Sequence, residues 1–247
     1  MPPLDQLLTA PNLIALVTLA ALEIVLGVDN IIVIAIVTSR LPQNQQAKAR
    51  FIGLSLAMVM RVGLLLAIGW VMSLTASIYK ANLFSVDIDL SWKDLILIFG
   101  GLFLIFKATK EIHHDLEAPG HLEEHKKASS FSAAISMIVV MDLIFSLDSV
   151  ITAVGMAKEK WIMIAAVVLA VVVMMAFAGK ISDFVKRHPT IKVLALSFLI
   201  LVGVLLIADG FDQHISRGYV YFAMAFSLVV EIVNIRIRKA QAERHAP

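Results

Sequence analysis

The chain has 247 residues, of which 60% are hydrophobic and only 16% are charged. Soluble domains carry roughly 45–50% apolar and about 25% charged residues, so this composition excludes an ordinary soluble fold. The formal charge of +2 is better explained as a membrane-topology signal than as a nucleic-acid footprint, and the absence of cysteine excludes disulfides, thiolate metal sites and thiol nucleophiles. We expect a membrane protein that is neither an enzyme nor a nucleic-acid-binding protein.

Seven hydrophobic segments predict membrane-spanning helices. A helix of about 18 or more residues can cross roughly 30 Å of hydrocarbon, and the third segment is the shortest of the seven. In chain order the segments are 12–38, 51–74, 93–107, 131–156, 161–180, 191–209 and 219–235. Only Asp5 precedes the first segment as a charge, so we interpret that segment as a retained span and not as a cleaved signal. The sequence therefore predicts an all-α polytopic protein surrounded by the lipid bilayer.

Basic residues cluster in alternate loops. Counted with the residues at their borders, the loops after segments one, three and five and the C-terminal tail each carry three or four Lys and Arg. The other side has only Lys80, Lys93, Lys158, Lys160 and Arg217. Aromatic residues fall near that second side, namely Trp70, Tyr79, Trp92, Trp161, Tyr219 and Tyr221. The positive-inside rule predicts an external N-terminus and a cytoplasmic C-terminus, in a plasma (inner) membrane.

An acidic motif occurs twice in the chain. ALEIVLGVDNIIVIAIV in the first segment and VMDLIFSLDSVITAVGM in the fourth align at an offset of 119 residues, each with an acid, five residues, Asp, then Asn or Ser. Because these two segments cross in opposite directions, we predict two inverted three-helix repeats with an extra C-terminal helix. The repeats are 1–110 and 131–216, separated by a cytoplasmic loop at 111–130 and followed by the seventh helix and basic tail at 217–247. A duplication without a shared site is the alternative.

Four acidic residues fall at membrane depth, Glu23, Asp29, Asp142 and Asp148. A central Asp costs about 2.5–3.5 kcal/mol of insertion free energy, so these side chains are not expected to face lipid. Positions six residues apart lie about 120° apart around a straight helix. We therefore predict local breaks, at Gly27 and near Ser146, that turn both acids of each repeat toward a central cavity.

The polar groups near these acids form an all-oxygen ligand set. The Asn30 amide, the Ser149 hydroxyl and freed carbonyls would join the carboxylates, a combination that suits Mn²⁺, Mg²⁺ or Ca²⁺ as a transported ion without any tightly bound cofactor. Arg61, near the middle of the second segment, is expected to pair with one acid, either as a structural counter-ion or as a charge that releases cargo. Alternatively, the acids are protonated or paired with Arg61 and only tie helices together.

Two further motifs have simpler interpretations. The 111–130 loop contains His113, His114, His121 and His125 among acids and could collect metal. Their spacing matches no tight zinc signature, so a solvated linker is favoured. The Gly100-Gly101 pair predicts a close helix contact, since no nucleotide-binding motif surrounds it.

The segments LEIVLGVDNII, LFLIFKATKEIH, LIFSLDSVITAVG and SDFVKRHPTIKVLALSFLILVG resemble the TerC family, named from tellurium-resistance protein C. The likeness extends over nearly the whole chain and is greatest to the short members without appended cytoplasmic domains. It implies a lysine-exporter-like membrane protein associated with Mn²⁺ efflux and with metal supply to exported enzymes. Transferred motif by motif, it implies a metal path at Glu23, Asp29, Asn30, Asp142, Asp148 and Ser149.

The leading hypothesis is therefore a proton-coupled exporter of a divalent cation, with manganese favoured by the resemblance. A second hypothesis is an integral scaffold or metallation partner in a stress-response complex without net transport. An amine or amino-acid exporter is the third. A homo-oligomer or other membrane-protein partners are compatible with each of them.

Overall fold

The computed structural model describes residues 9–83, 86–117, 130–156, 159–213 and 215–244, and helices dominate these ranges. The helices are α1 (Ala10–Ser39), α2 (Gln43–Leu66), α3 (Ile68–Ser73), α4 (Trp92–Glu117), α5 (Phe131–Met156), α6 (Lys160–Arg187), α7 (Pro189–Gly210) and α8 (Arg217–Arg244). Strands β1 (Ser77–Leu83) and β2 (Val86–Ser91) form an antiparallel hairpin between α3 and α4. The described chain is otherwise helical, in agreement with the predicted all-α class, and this short hairpin is the connection that hydropathy did not predict.

Six helices in the described ranges are long and apolar enough to span a membrane: α1, α2, α5, α6, α7 and α8. The remaining long helix, α4, has an uncharged run only from Leu95 to Phe106, between Asp94 and Lys107. It nevertheless packs against α7 within the bundle. Six membrane-spanning helices are therefore supported by length and composition, and the seventh remains a prediction.

Two helix boundaries differ from the sequence-based expectation. The second segment begins at Gln43, directly after Pro42, and is interrupted at Ala67. The third continues to Glu117, beyond the predicted end at Lys107. Hydropathy locates the apolar part of a helix, but a helix also continues through polar residues that favour helical backbone, such as the Gln, Lys and Glu of these extensions.

The start of α4 is set by a capping arrangement. The Ser91 backbone N–H and hydroxyl donate to Asp94 Oδ2 at 2.8 and 2.6 Å, and the Asp94 N–H donates back to Ser91 Oγ at 3.3 Å. Such reciprocal bonds satisfy backbone donors that a helix start leaves unpaired. Asp94 is therefore a buried structural acid, separate from the four acids singled out by the repeat.

The predicted breaks at Gly27 and Ser146 are wrong, because α1 and α5 are continuous helices through both positions. A Cβ added at Gly27 would lie 2.4 Å from the Met174 sulfur. The glycine thus permits α1 to approach α6 closely and does not unwind the helix.

A pair of glycines forms the crossing of α4 and α7. A Cβ at Gly101 would lie 2.4 Å from the Gly203 carbonyl oxygen, and a Cβ at Gly203 would lie 2.8 Å from the Gly101 carbonyl oxygen. The two backbones therefore meet with no room for a side chain, which is how small residues bring membrane helices together. The expected close contact at Gly100-Gly101 is confirmed.

Large apolar side chains remain exposed around the outside of the bundle. Phe99 is 67% exposed and Phe106 61%, while Phe222 on α8 reaches 72%. In a soluble monomer such a surface would be an aggregation hazard, whereas lipid tails accept it. The interior is filled by apolar clusters with fully buried members such as Leu65 and Leu104.

Charged contacts collect at one end of the bundle, which we call the basic end: the C-terminal ends of α1, α4 and α6 with the starts of α2, α5 and α7. Glu111 on α4 contacts Arg40, the residue directly after α1, and lies 3.3 Å from the Lys192 ammonium on α7. Lys186 on α6 donates to the Gln46 side-chain oxygen on α2. Partly exposed pairs of this kind add little stability singly, but together they connect the helices at this end.

Candidate functional site

Arg61 is the centre of a buried ion cluster that joins three helices. Its side chain on α2 reaches Glu23 on α1 and Asp142 on α5, with Nη1 2.5 Å from Glu23 Oε2 and Nη2 2.7 Å from Asp142 Oδ1. The Nε atom adds contacts of 3.1 and 3.4 Å to the two Asp142 oxygens. Arg61 is 2% exposed, Asp142 5% and Glu23 7%. The guanidinium therefore binds two of the four predicted acids at once.

Neutral polar groups complete the surroundings of Asp142. Ser146 donates its hydroxyl to Asp142 Oδ2 at 3.0 Å, and the Asn30 amide nitrogen donates to Oδ1 at 3.4 Å. The Asn30 carbonyl oxygen is buried, and no described group donates a hydrogen bond to it. The Ser149 hydroxyl donates to the Ser146 carbonyl at 3.3 Å, which leaves its oxygen lone pairs as acceptors. The Asn30 side chain thus lies beside Asp142 and keeps an uncommitted oxygen, whereas Ser149 lies about two helical turns further along α5.

The spacing of these residues places them on one side of each helix. Glu23 and Asn30 are seven positions apart on α1, and Asp142 is four and seven positions before Ser146 and Ser149 on α5. Both intervals return to nearly the same side of a helix. Sequence reasoning missed the direct contact of Ser146 with Asp142, although its four-residue spacing could have indicated it.

Other predicted ligands lie partly outside the described residues. Positions 29 and 148 belong to the continuous helices α1 and α5, but the side chains of Asp29 and Asp148 are outside the described set, so their predicted contribution is untested. His113 and His114 are exposed near the end of α4, and positions 121 and 125 lie outside the described residues. Among the side chains that are described, no three His, Asp or Glu residues form a group able to hold a metal ion.

Comparisons with known proteins agree with this membrane architecture. The model of the family described as "Integral membrane protein TerC family" matches residues 8–246. The chain belongs to the TerC family. It is 55% identical over 230 residues to the UPF0053 inner membrane protein YgdQ of Escherichia coli and 53% identical to a UPF0053 protein of Haemophilus influenzae, with 92% of this chain and 94% of each relative covered. No solved structure matches it.

A longer relative contains the same unit. The UPF0053 inner membrane protein YoaE of Escherichia coli is 47% identical over 231 residues, which are 93% of this chain but 44% of that protein. The TerC-family unit therefore occurs both nearly alone and within a chain about twice as long. The family resemblance noted from the acidic motifs is confirmed.

The site of this TerC-family chain is closed unequally on its two sides. Toward the basic end, a cleft of about 170 Å³ is bordered by α1, α4, α5 and α7, from Arg40 and Glu111 at its mouth to Val33 and Met141 inside. Met141 directly precedes Asp142 in the chain, but Asp142 itself is not among the residues that line the cleft. On the other side of the cluster, Glu23 borders a cavity of only about 10 Å³ that is otherwise lined by apolar side chains. Apolar side chains thus pack around Glu23 on one side of the cluster, and the cleft on the other side approaches it without being lined by its described residues.

The electrostatics of the cluster place limits on what it can do. Two carboxylates and one guanidinium carry a formal charge of −1 when ionised. Removing one partner of a buried ion pair is costly, roughly 3–5 kcal/mol, because the other charge is left unsolvated. The same cost applies to the guanidinium if a cation displaces it from the carboxylates, because Arg61 is tethered and buried. The three charges of the cluster therefore stabilise one another in this arrangement.

Proposed function

We propose that this chain is a transporter of the inner membrane that exports a divalent metal cation, with Mn²⁺ the favoured cargo. Its metal path would comprise Glu23, Asp29, Asn30, Asp142, Asp148 and Ser149, with Arg61 as the charge partner. The observation that carries the proposal is the buried cluster in which the equivalent acids of the two motifs, Glu23 and Asp142, contact one guanidinium. Intramembrane charges are costly and commonly mark ion pathways.

The helix packing supports the inverted-repeat part of the proposal. Under a two-fold relation, α1 exchanges with α5, α2 with α6 and α4 with α7. The contact between α1 and α6 then corresponds to the contact between α5 and α2. Likewise, the contact between α4 and α5 corresponds to the contact between α7 and α1. All four contacts are present. The α4–α7, α2–α6 and α1–α5 pairs correspond to themselves and are also present, whereas the smaller α1–α2 and α6–α7 contacts have no counterpart of similar extent. Such a relation places a shared site where the repeats meet.

The donor chemistry supports a hard divalent cation. Carboxylate, amide and hydroxyl oxygens are the ligands that Mg²⁺, Ca²⁺ and Mn²⁺ prefer. With Glu23, Asp142 and Arg61 alone, a divalent ion would leave the cluster at +1. If Asp29 and Asp148 also contribute, the same ion brings the site to −1. We therefore expect all four acids to participate in the loaded state.

Export requires an energy source because the membrane is negative inside. Moving a divalent cation outward costs about 4.6 kcal/mol per 100 mV of potential. Proton antiport would supply this energy, since protons that bind the carboxylates would eject the metal and neutralise the site. The cleft at the basic end supports access from the cytoplasm in this state, with the apolar side chains near Glu23 closing the outer path.

Metal flux into proteoliposomes tests the proposal. Mn²⁺, Mg²⁺, Ca²⁺ and Zn²⁺ uptake would be compared for the wild type, Asp29→Asn and Glu23→Gln, with Asp183→Asn as the control because Asp183 is exposed at the end of α6. We expect Mn²⁺ flux in the wild type and control but not in the two site variants. No flux of any cation by folded protein would overturn transport and favour the scaffold or metallation-partner hypothesis. Competition by amines would favour the amine-exporter hypothesis.

A further inference from the structure

A second cavity opens at the basic end, outside the ion cluster. It has a volume of about 520 Å³ and lies between α1, α6 and α7. Its polar lining consists of Ser39, Lys186, Thr190 and Lys192. The proposed metal path does not include these residues, so we consider this cavity as a site for a different ligand.

The donors in this cavity are its two ammonium groups. The Ser39 hydroxyl donates to the Ile36 carbonyl at 2.7 Å, and the Thr190 hydroxyl is hydrogen-bonded to the Glu231 carboxylate. Lys186 meets a neutral partner, the Gln46 amide oxygen. An ammonium has three N–H donors, so Lys186 can bind an anion while it keeps this contact.

The charge around the cavity is positive after its acids are counted. Glu111 is shared by Arg40 and Lys192, which leaves that group with one net positive charge, and Lys186 adds a second. Glu231 forms an ion pair with Arg238 at 3.0 Å, so these two residues cancel. The cavity also lies at the N-terminal end of α7, where helix dipoles favour negative charge and no side chain caps the helix.

An apolar groove continues from this cavity along the same helix. It has a volume of about 210 Å³ and lies between α1, α7 and α8, with Ile32, Leu194, Phe198 and Leu228 among its lining residues. Positions 190, 192 and 193 of α7 border the basic cavity, and positions 191, 194 and 195 border the groove. The two cavities share no lining residue, but Thr190 of the first and Leu194 of the second are four positions apart and therefore lie on the same side of α7.

We propose that this combined site binds one anionic phospholipid, whose phosphate lies between Lys186 and Lys192 and whose acyl chain lies in the groove between α1, α7 and α8. The occupant follows from complementarity: a phosphodiester carries a negative charge that matches the two lysines, and its chains match the apolar groove. A free phosphate would satisfy only the first part of the site.

The lipid has a structural consequence for α8. Only 6% of the apolar window of this helix is buried, and it packs chiefly against α7. An acyl chain in the groove contacts α8, α7 and α1 together, so it holds α8 to the bundle. Removal of the lipid is therefore expected to loosen α8 first.

Lipid binding to the purified full-length chain tests the inference. Native mass spectrometry and thermal unfolding would compare phosphatidylglycerol, phosphatidylcholine and inorganic phosphate as ligands. The variant Lys186→Gln/Lys192→Gln would be matched by Arg187→Gln/Lys239→Gln, which removes two charges at positions that do not line the site. The favourable binding free energy of two lysines near an anionic headgroup corresponds to about a thirtyfold difference in affinity. We therefore expect Lys186→Gln/Lys192→Gln to lose about that much phosphatidylglycerol affinity.

The expected result is stabilisation by phosphatidylglycerol alone, lost in Lys186→Gln/Lys192→Gln and retained in the matched control. Equal affinity in both double variants would overturn the site, and equal stabilisation by inorganic phosphate would overturn the lipid as its occupant. If the double variant does not fold, Ala195→Phe, which fills the groove and keeps both lysines, must itself lower phosphatidylglycerol affinity. Unchanged affinity in that variant would also overturn the proposal.

Discussion

Glu23 and Asp142, 119 positions apart in the chain, contact different nitrogens of one guanidinium, at 2.5 and 2.7 Å. The two acids hold matching positions in the aligned motifs, and among the described residues one arginine lies between them. The cluster therefore combines two anions from matching motif positions with one tethered cation. Its response to changes in Arg61 separates a structural role from a role in transport.

Arg61→Gln is expected to make stability depend on metal. Without the guanidinium, Glu23 and Asp142 would be buried without a counter-ion, at a cost of roughly 3–5 kcal/mol that a divalent cation can offset. The rise in melting temperature on adding Mn²⁺ should be larger in Arg61→Gln than in the wild type, with Arg61→Lys between them. Arg50→Gln, at the basic end, is the control. Metal affinity and flux equal to wild type in both Arg61 variants would place Arg61 away from the ion path.

Glu23→Gln and Asp142→Asn are predicted to differ in stability although both stop transport. Asp142 accepts hydrogen bonds from Arg61, Ser146 and Asn30, whereas Glu23 accepts from Arg61. An amide at position 142 would place its own N–H2 group against the N–H and O–H donors of these partners. Asp142→Asn should therefore unfold at a lower temperature than Glu23→Gln. Thermal unfolding with flux in the same preparations checks this. Equal melting temperatures would show that the extra contacts contribute nothing.

Asn30→Leu should weaken cation binding by about tenfold and leave the fold intact. Its amide makes one long bond, and its buried carbonyl oxygen has no donor among the described residues, so an apolar side chain of similar size should cost little stability. Isothermal titration with Mn²⁺ gives the affinity, and Asn44→Leu at the exposed start of α2 is the control. A large loss of melting temperature with unchanged affinity would contradict a ligand role for Asn30.

Gly101→Ala is predicted to destabilise the bundle by about 1–3 kcal/mol, because a Cβ would collide with the Gly203 backbone. Gly179→Ala is the matched change, since nothing lies within 4 Å of a Cβ at that helical position. It should be neutral or stabilising by up to about 1 kcal/mol. Thermal unfolding in one detergent compares the two, and equal effects would show that the α4–α7 crossing tolerates separation.

Single cysteines can test the orientation directly, because the natural chain has none. Cysteines at Ser130 and Ala240 are expected to be protected from an impermeant maleimide in intact cells, and a cysteine at Ser216 is expected to react. The reason is the concentration of Lys and Arg in alternate loops. Labelling of Ser130→Cys from outside would break both the topology and the inverted-repeat proposal.

The sequence by itself determined the class of protein and the residues that matter most. Apolar length identifies spanning helices because the thickness of the hydrocarbon sets a minimum helix length. A charge within such a run raises the free energy of insertion, so it indicates a residue with a structural or functional role. Those two facts were enough to select Glu23, Arg61 and Asp142. They could not locate the polar ends of α2 and α4 or the β1–β2 hairpin, since hydropathy follows lipid contact and not backbone conformation.

Only the tertiary structure decided which side chains meet. From hydropathy and spacing, Arg61 could pair with any one of the four acids. The crossing of α1, α2 and α5 brings its guanidinium into contact with two of them, Glu23 and Asp142. The continuity of α1 also changed the role of Gly27 from a break to a close contact with Met174, because a glycine is compatible with both and the neighbouring helix selects between them. Pairing across helices depends on approach distance and rotation about each axis, which a linear pattern does not contain.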